Sequence, residues 1–377
     1  MAGIYFHFPF CKKACTYCNF HFSTSFKKKK LVLSSMIKEL IMRKDFLNNK
    51  IIESIYFGGG SPSLIDPNLV GEFIQCVKDY YEVSEDAEVT MELNPDDASY
   101  NYINSLKKNK VNRISIGVQS FIEEDLLLMN RSHNSHQAFR SIEMVKDTFE
   151  NFSLDLIYGM PTTNLDKWKF NLSKAISYDP PHLSSYVLTV EDKTILKKQI
   201  SSGELHSIPE KEVEDQYWYM INYLEKFKYH NYEFSSFSKS GYYSKNNNGY
   251  WSGKAYLGIG PSAHSFDGLM TRSWNVSQNS SYLNSIEQNC LPLSMESLSL
   301  KDRFNEMVMT GLRTSSGVSI QKIRSKIGEK FVSYLEETAK KRVLSNDLYW
   351  DGDHLHVTKK SKFLSDGIAS DLFLVNF

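Results

Sequence analysis

Disulfide chemistry is the first thing this sequence has too little material for. Five cysteines in 377 residues, three of them bunched, do not make a secreted disulfide framework, and a reducing cytosol suits them better. An excess of one charge is also missing: 44 basic side chains face 44 acidic ones, so there is no electrostatic footprint for nucleic acid or an acidic membrane. The one basic run, Lys27 to Lys30, reads as a solvated loop or helix start. No stretch reaches the ~18 consecutive apolar residues that suggest a spanning helix. The N-terminus has no basic segment followed by a long apolar run, so neither a leader nor a membrane segment is expected. Tandem repeats and low-complexity linkers are absent too. These absences together lead us to expect a soluble, cytoplasmic protein.

What is present is length enough for one large domain with appendages, and a rhythm. Short apolar, β-branched or aromatic runs recur at Ile4 to Phe8, Ile52 to Phe57, Glu88 to Leu93, Arg113 to Val118, Phe152 to Tyr158 and Leu183 to Leu188. Stretches with helical periodicity lie between them, around 30–48, 67–81, 98–109, 122–147 and 164–177. Strands alternating with helices read as βαβ units of a parallel sheet. Periodicity alone leaves a partial (β/α)6 barrel and an open doubly wound sheet equally available.

The polar residues favour the barrel, because they follow the strand ends. Cysteines follow the first run, Gly58-Gly59-Gly60-Ser61-Pro62 the second, and Glu92-Leu93-Asn94-Pro95 closes the third. Gln119-Ser120-Phe121 follows the fourth, Asp155 with Tyr158-Gly159-Met160-Pro161 closes the fifth, and Tyr186 to Glu191 closes the sixth. Functional groups of β/α barrels gather where the strand C-termini and their loops converge.

After Asp192 the rhythm changes. Val213, Tyr217, Met220, Ile221, Leu224 and Phe227 have the spacing of an amphipathic helix that packs on the barrel. An aromatic, serine- and asparagine-rich stretch runs from Tyr229 to Phe266. Later, a helix over Asp302 to Leu312, Gly317, another helix to about Arg342, and strands near Leu348 and Leu355 suit a small winged-helix-like appendage. The expected division is 1–192 for the barrel, 193–292 for an extension packed on it, and 293–377 for the appendage.

Cys11, Cys15 and Cys18 are the strongest chemical signal. A structural zinc site closes four positions, so His7 or His21 would have to complete one here. A dithiol exchange site could use Cys15 and Cys18 but would leave Cys11 idle. Cys76 and Cys290 are isolated and read as ordinary buried thiols. An iron–sulfur cluster is normally held by four thiolates, and three would leave one iron open to a ligand that is not protein.

The run Cys11-Lys12-Lys13-Ala14-Cys15-Thr16-Tyr17-Cys18 resembles the C-x3-C-x2-C signature of the radical S-adenosylmethionine enzymes. In that superfamily the methionine end of the cofactor binds the open iron of a 4Fe-4S cluster. An electron from the reduced cluster then breaks the sulfonium C–S bond, giving a 5′-deoxyadenosyl radical. Tyr17 supplies aromatic cover beside Cys18, and Gly58 to Gly60 allow backbone to approach the methionyl group without a Cβ in the way. The resemblance continues through Tyr5-Phe6-His7-Phe8-Pro9-Phe10-Cys11, Phe57 to Ser63, Arg113 to Phe121 and Asp155 to Pro161. With Tyr232 to Phe237 and Tyr256 to His264 it covers nearly the whole chain. These segments are similar, in order, to the oxygen-independent coproporphyrinogen III oxidases and their HemW-type relatives. The resemblance implies that Tyr5, Gly59, Gly60, Ser61, Glu92, Gln119, Arg131, Asp155 and Val187 line the S-adenosylmethionine pocket. Carboxylates would hold ribose hydroxyls or the amino group, and Arg131 would pair with the methionyl carboxylate.

Within that family the decarboxylating oxidases carry a fourth cysteine two residues after the third, where this chain has Phe20. They also have a longer extension before the first strand. Both departures resemble the HemW-type members, regarded as chaperones that deliver haem to acceptor proteins, and weigh against coproporphyrinogen oxidase activity. Those members carry H-N-x-x-Y-W after the barrel. Here the segment is Asn246-Asn247-Asn248-Gly249-Tyr250-Trp251, with asparagine at the histidine position. Tyr250 and Trp251 could stack on a macrocycle, while His264 or His182 could replace the missing imidazole. The partners implied are haem or a porphyrin as cargo, haem-accepting proteins, and an electron donor such as flavodoxin or ferredoxin. The resemblance is also compatible with a homodimer.

Overall fold

The computed structural model describes residues 1–47 and 50–375. The first half is a repeating βα series. It runs β1 Ala2–Phe8, α1 Lys29–Met42, β2 Ile52–Gly59, α2 Pro67–Tyr80, β3 Val83–Leu93, α3 Tyr100–Lys108 and β4 Arg113–Gln119. It continues with α4 Glu123–Leu128, α5 Ser135–Lys146, β5 Phe152–Tyr158, α6 Leu165–Ser177 and β6 His182–Val187. Strands β1 to β6 lie side by side in sequence order, all parallel, as expected for a partial (β/α)6 barrel.

Helix starts follow local chemistry. Asp66 accepts from the Asn68 N–H ahead of Pro67, which opens α2 with a ring already set for the helix. Asn134 and Gln137 form a reciprocal capping box at α5. That box corrects the single helix expected over 122–147. Asn130 takes φ +53°, the segment 129–134 leaves the helix, and Asn134 starts a new one. The expected end of the first helix at Asn48 lies outside the described residues; the helix itself ends at Met42.

Parallel strands covered on both faces usually read as continuous apolar runs. These alternate instead. On one face, Phe6 stacks on Phe57 with 5.0 Å between ring centres and meets Phe73 of α2 edge-on at 4.9 Å. Ile55, Met91, Ile116 and Leu154 belong to the same core between sheet and helices. The other face is polar. Tyr56 stands opposite Tyr5 and Thr90, Glu92 opposite Ser115, Ser115 opposite Ser153, and Asp155 opposite Ser184. Residues of this polar face line a cavity rather than a second core.

The rest of the chain extends this sheet at both edges. After α7 Ile195–Ser201 and α8 Glu210–Lys226 comes the hairpin β7 His230–Glu233 and β8 Ser236–Ser238, which pairs antiparallel with β6. Helix α9 Lys245–Trp251 then crosses back so that β9 Ala255–Ile259 lies parallel to β1. Strands β10 His264–Phe266, β11 Thr271–Asn275 and β12 Leu293–Ser297 continue antiparallel, with α10 Asn279–Glu287 between the last two. Cys76 on α2 is buried as expected, but Cys290, just after α10, is exposed. The 12 strands run in the order β12-β11-β10-β9-β1-β2-β3-β4-β5-β6-β8-β7, an open sequence of pairings among the described residues. Buried Glu39 of α1 pins the β1 edge. It accepts from Gly260 N–H at 2.8 Å, Asn275 Nδ2 at 2.8 Å and Tyr282 Oη at 2.7 Å, and pairs with Arg43 at 3.4 Å.

A second core follows. Helix α11 Leu300–Leu312, β13 Val318–Ser319, α12 Ile320–Ile327, α13 Glu329–Leu344, β14 Leu348–Asp351, β15 His354–Val357 and α14 Ser365–Asp371 enclose Phe304, Ile323, Leu335 and Leu355. The helix expected to run to about Arg342 is two helices, split at Gly328 with φ +107°. The expected late hairpin is β14–β15, joined by β13 into a three-stranded sheet. No helix among the described residues is long and apolar enough to cross a membrane.

Candidate functional site

The cysteine loop after β1 is fastened to three neighbouring elements. Thr16 N–H donates to Met129 O at 3.1 Å and its hydroxyl to Leu128 O at 2.9 Å, both at the end of α4. Asn130 Nδ2 donates to Ala14 O at 2.8 Å. Lys12 pairs with Asp96 at 2.7 Å and with Asp97, both after β3, and Leu196 N–H donates to Thr16 O at 2.9 Å. The glycine loop after β2 laces on from the other side, Gly60 N–H to Phe8 O at 2.8 Å and Ser61 N–H to Phe10 O at 2.7 Å. A Cβ at Gly60 would stand 2.6 Å from Phe10 O and 2.9 Å from Cys11 Sγ. Only glycine permits that approach.

The three thiols line a cavity of about 480 Å³ at the C-terminal ends of β1 to β6. Gly59, Gly60, Ser61, Glu92, Gln119, Arg131, Asp155 and Val187 line it as well, so most of the expected pocket residues converge. Tyr5 sits behind this wall, against Gly58, with its hydroxyl 3.3 Å from His7 Nδ1. Phe20 lies at the cavity edge and is 68% exposed. The structure adds Asn94, Ser115, Ser184 and Tyr186 to the lining. Their signal was the polar alternation along each strand, which marks the enclosed face.

Arg131 is the central cation. Its Nη2 donates to Asn94 Oδ1 at 2.8 Å and Gly117 O at 2.9 Å, its Nη1 lies 3.6 Å from Cys15 Sγ, and its buried Nε has no partner. No carboxylate among the described residues pairs with it, so a cation stands in an enclosed site without its anion. Burial pushes the Cys11 thiol up to about 11. Glu92, which accepts from Tyr56 Oη at 2.9 Å, is raised to about 8, first by burial and then by Asp155, against the hydrogen bonds it accepts. Burial raises Asp155 too, although Ser115 donates to it at 2.8 Å and Ser153 at 3.1 Å. Gln119 ends β4 at φ +64°, a strained backbone of the kind that concentrates at binding sites.

The donor set suits a cluster with one open corner. His7 Nε2 donates to His21 O at 3.1 Å, and His21 Nε2 is 2.9 Å from Asn279 Oδ1. Both imidazoles that could have completed a zinc tetrahedron are engaged elsewhere. Among the described residues, no three His, Cys, Asp or Glu side chains draw together as around a single ion. A cubane spreads its thiolates over separate corners, wider than one ion does.

The haem-directed residues separate. Tyr250 and Trp251 line a second cavity, of about 810 Å³, between α9, β9–β11 and α11–α12. Asn246, on the same helix, is buried beside Gly3 and Ser54, away from that cavity. His264 stacks on Trp274, 6.0 Å between ring centres, outside that cavity. His182 is fully buried with both ring nitrogens occupied, by Ser153 Oγ and Tyr232 Oη, each at 2.8 Å.

The Radical SAM superfamily matches this chain over residues 5–172, and the HemN C-terminal domain matches residues 298–364. In fold, the chain is similar to the solved coproporphyrinogen III oxidase (HemN) from Escherichia coli, with a TM-score of 0.84 at 20% identity over 99% of this chain and 90% of that one. The strand-end site and the superfamily match define a radical SAM protein. Heme chaperone HemW of Bacillus subtilis (strain 168) is 30% identical over 376 residues, spanning 98% of both chains. Heme chaperone HemW of Lactococcus lactis subsp. lactis (strain IL1403) is 31% identical over 380 residues, 99% of this chain and 98% of the relative. Within the superfamily, the chain belongs to the HemW family of heme chaperones.

Proposed function

We propose that this chain holds a 4Fe-4S cluster on Cys11, Cys15 and Cys18, binds S-adenosylmethionine beside it, and carries haem to acceptor proteins. The observation that carries this reading is the convergence of three thiols and a guanidinium without a counter-anion on one cavity at the strand ends. When bound, the cluster supplies one-electron reduction and an open iron for the amine and carboxylate of the cofactor. Arg131, already held by Asn94 and Gly117, would turn its free Nε toward that carboxylate. Glu92 and Asp155 would take the ribose hydroxyls or the amino group, and Gly59 and Gly60 leave room for the methionyl chain. A reduced flavodoxin or ferredoxin would be the electron source. The division at 192 and 292 belongs to this reading, supported by the strand joins at β6 and β9 and by the separate second core. Phe20 at the fourth cysteine position turns the reading from porphyrinogen decarboxylation toward haem delivery.

Anaerobic reconstitution tests it. About four irons per wild-type chain are expected, and Cys15→Ala should lose most of them. Haemin should give a shifted Soret band with the wild type. A single zinc without iron, or protoporphyrinogen IX appearing from coproporphyrinogen III, would replace this reading with another.

A further inference from the structure

The larger cavity has three features that the cofactor site does not use. Its volume, about 810 Å³, lies in the ~300–1,000 Å³ range of sites that enclose a small ligand. Its walls are aromatic: Tyr250, Trp251, Tyr256 and Phe266 from one side, with Tyr186 at the base, 44% exposed. Its remaining wall is cationic. Arg272 and Arg303 share one carboxylate, Glu306, at 2.7 and 2.8 Å. Lys322 and Lys326, one helical turn apart on α12, have no carboxylate within ion-pair reach among the described residues. Burial and the nearby Arg303 and Lys322 charges hold Lys326 below the usual lysine range. Two carboxylates, Glu233 and Glu306, also line the cavity, against the four cations Arg272, Arg303, Lys322 and Lys326. The two lysines beside flat rings describe a seat for a planar ligand with acidic edges. Among its described lining residues there is no histidine.

We propose that this cavity is the seat of the tetrapyrrole, with the macrocycle against Tyr250 and Trp251 and its two propionates on Lys322, Lys326 and Arg272. The assignment rests on the haem-carrying reading and adds where and how the cargo is held. Stacking and carboxylate pairing supply the affinity, with no imidazole on the iron. Iron-free protoporphyrin IX therefore binds within a few fold of haemin. Tyr186 and Asn247 line both cavities, which puts the cargo against the cofactor site rather than at a remote surface.

The test is a titration of the reconstituted 377-residue chain with haemin, protoporphyrin IX and protoporphyrin IX dimethyl ester. Lys322→Glu/Lys326→Glu should weaken both diacids about tenfold or more and leave the ester unchanged. Its circular dichroism and iron content report that it has folded, and Lys322→Gln/Lys326→Gln is the milder variant if it has not. Wild-type indole fluorescence should be quenched by haemin, and Trp251→Phe should remove part of that quenching. Unchanged diacid affinity in the charge variants, or an ester bound as tightly as the diacids, overturns this seat while the haem reading stands. A wild type that shows no Soret change with haemin overturns the haem reading and the seat with it.

Discussion

Glu92 shows how much one side chain at this site can do. It faces the cavity from β3, accepts the Tyr56 hydroxyl, and is raised to about 8 chiefly by burial. In an unfolded chain the same group ionises near pH 4.5. Between those two values the folded protein holds a proton that the unfolded chain has released, so stability falls as pH rises. The slope is at most about 1.4 kcal/mol per pH unit. Buried His7, His133 and His182, held below the usual imidazole range by burial, give the opposite slope below about pH 6.5. The Glu92 contribution is therefore read as the difference between wild type and Glu92→Gln, which keeps the side-chain volume. In urea unfolding without cofactor, the variant should gain stability relative to the wild type from about pH 5 to 8.

Residues of this kind were unevenly legible. Three thiols at C-x3-C-x2-C spacing announce themselves because the ligands are neighbours in sequence. Arg131 was named only through the resemblance, since its segment reads as the middle of a helix. The break that delivers it depends on Asn130 reaching Ala14, a contact across 116 positions. Asn94 and Tyr186 stood in strand-end segments that were noticed, yet their convergence on one cavity depends on strand register.

At the scale of elements, the joint between the β1 and β2 loops is the most demanding. A methyl group at Gly60 would meet backbone at 2.6 Å, and neither loop has room to yield without moving Cys11. Gly60→Ala should cost about 1–3 kcal/mol of stability, as overpacking does, and should cut iron retention after reconstitution at least by half. Gly367→Ala in α14, where the new Cβ has no neighbour within 4 Å, should leave iron retention unchanged and add a little stability. Iron and sulfide analysis beside thermal melts separates the two. The six parallel strands and most of their helices were legible from periodicity, with ends shifted by a few residues, whereas the stretch 122–147 reads as one helix and is two. The extra strands were not: β10 has three residues and β13 two, too short to carry a pattern. The placement of β9 beside β1 is a long-range pairing that no local signal records.

The whole molecule has a large core under the long sheet and a second core around α11 to α13. Leu335 is fully buried in the second. Leu335→Ala should destabilise that part by about 2–5 kcal/mol and open a separate, earlier transition in differential scanning calorimetry. Iron content should stay at the wild-type level, because all three cysteines belong to the first core's sheet ends. Haemin affinity should fall, since α11 and α12 supply one wall of the larger cavity.

The fastening of the cysteine loop has a consequence for the life of the protein. Thr16, Asn130 and Lys12 hold that loop through bonds to backbone and carboxylates that contain no thiol and no metal. Domains whose fold is made by their metal collapse when it leaves. Here, oxygen damage to the cluster would erase a ligand and spare the scaffold. On the proposed reading, an oxidised molecule would be a repairable one: fresh iron, sulfide and reductant would refill the same vestibule in a loop that other bonds still hold.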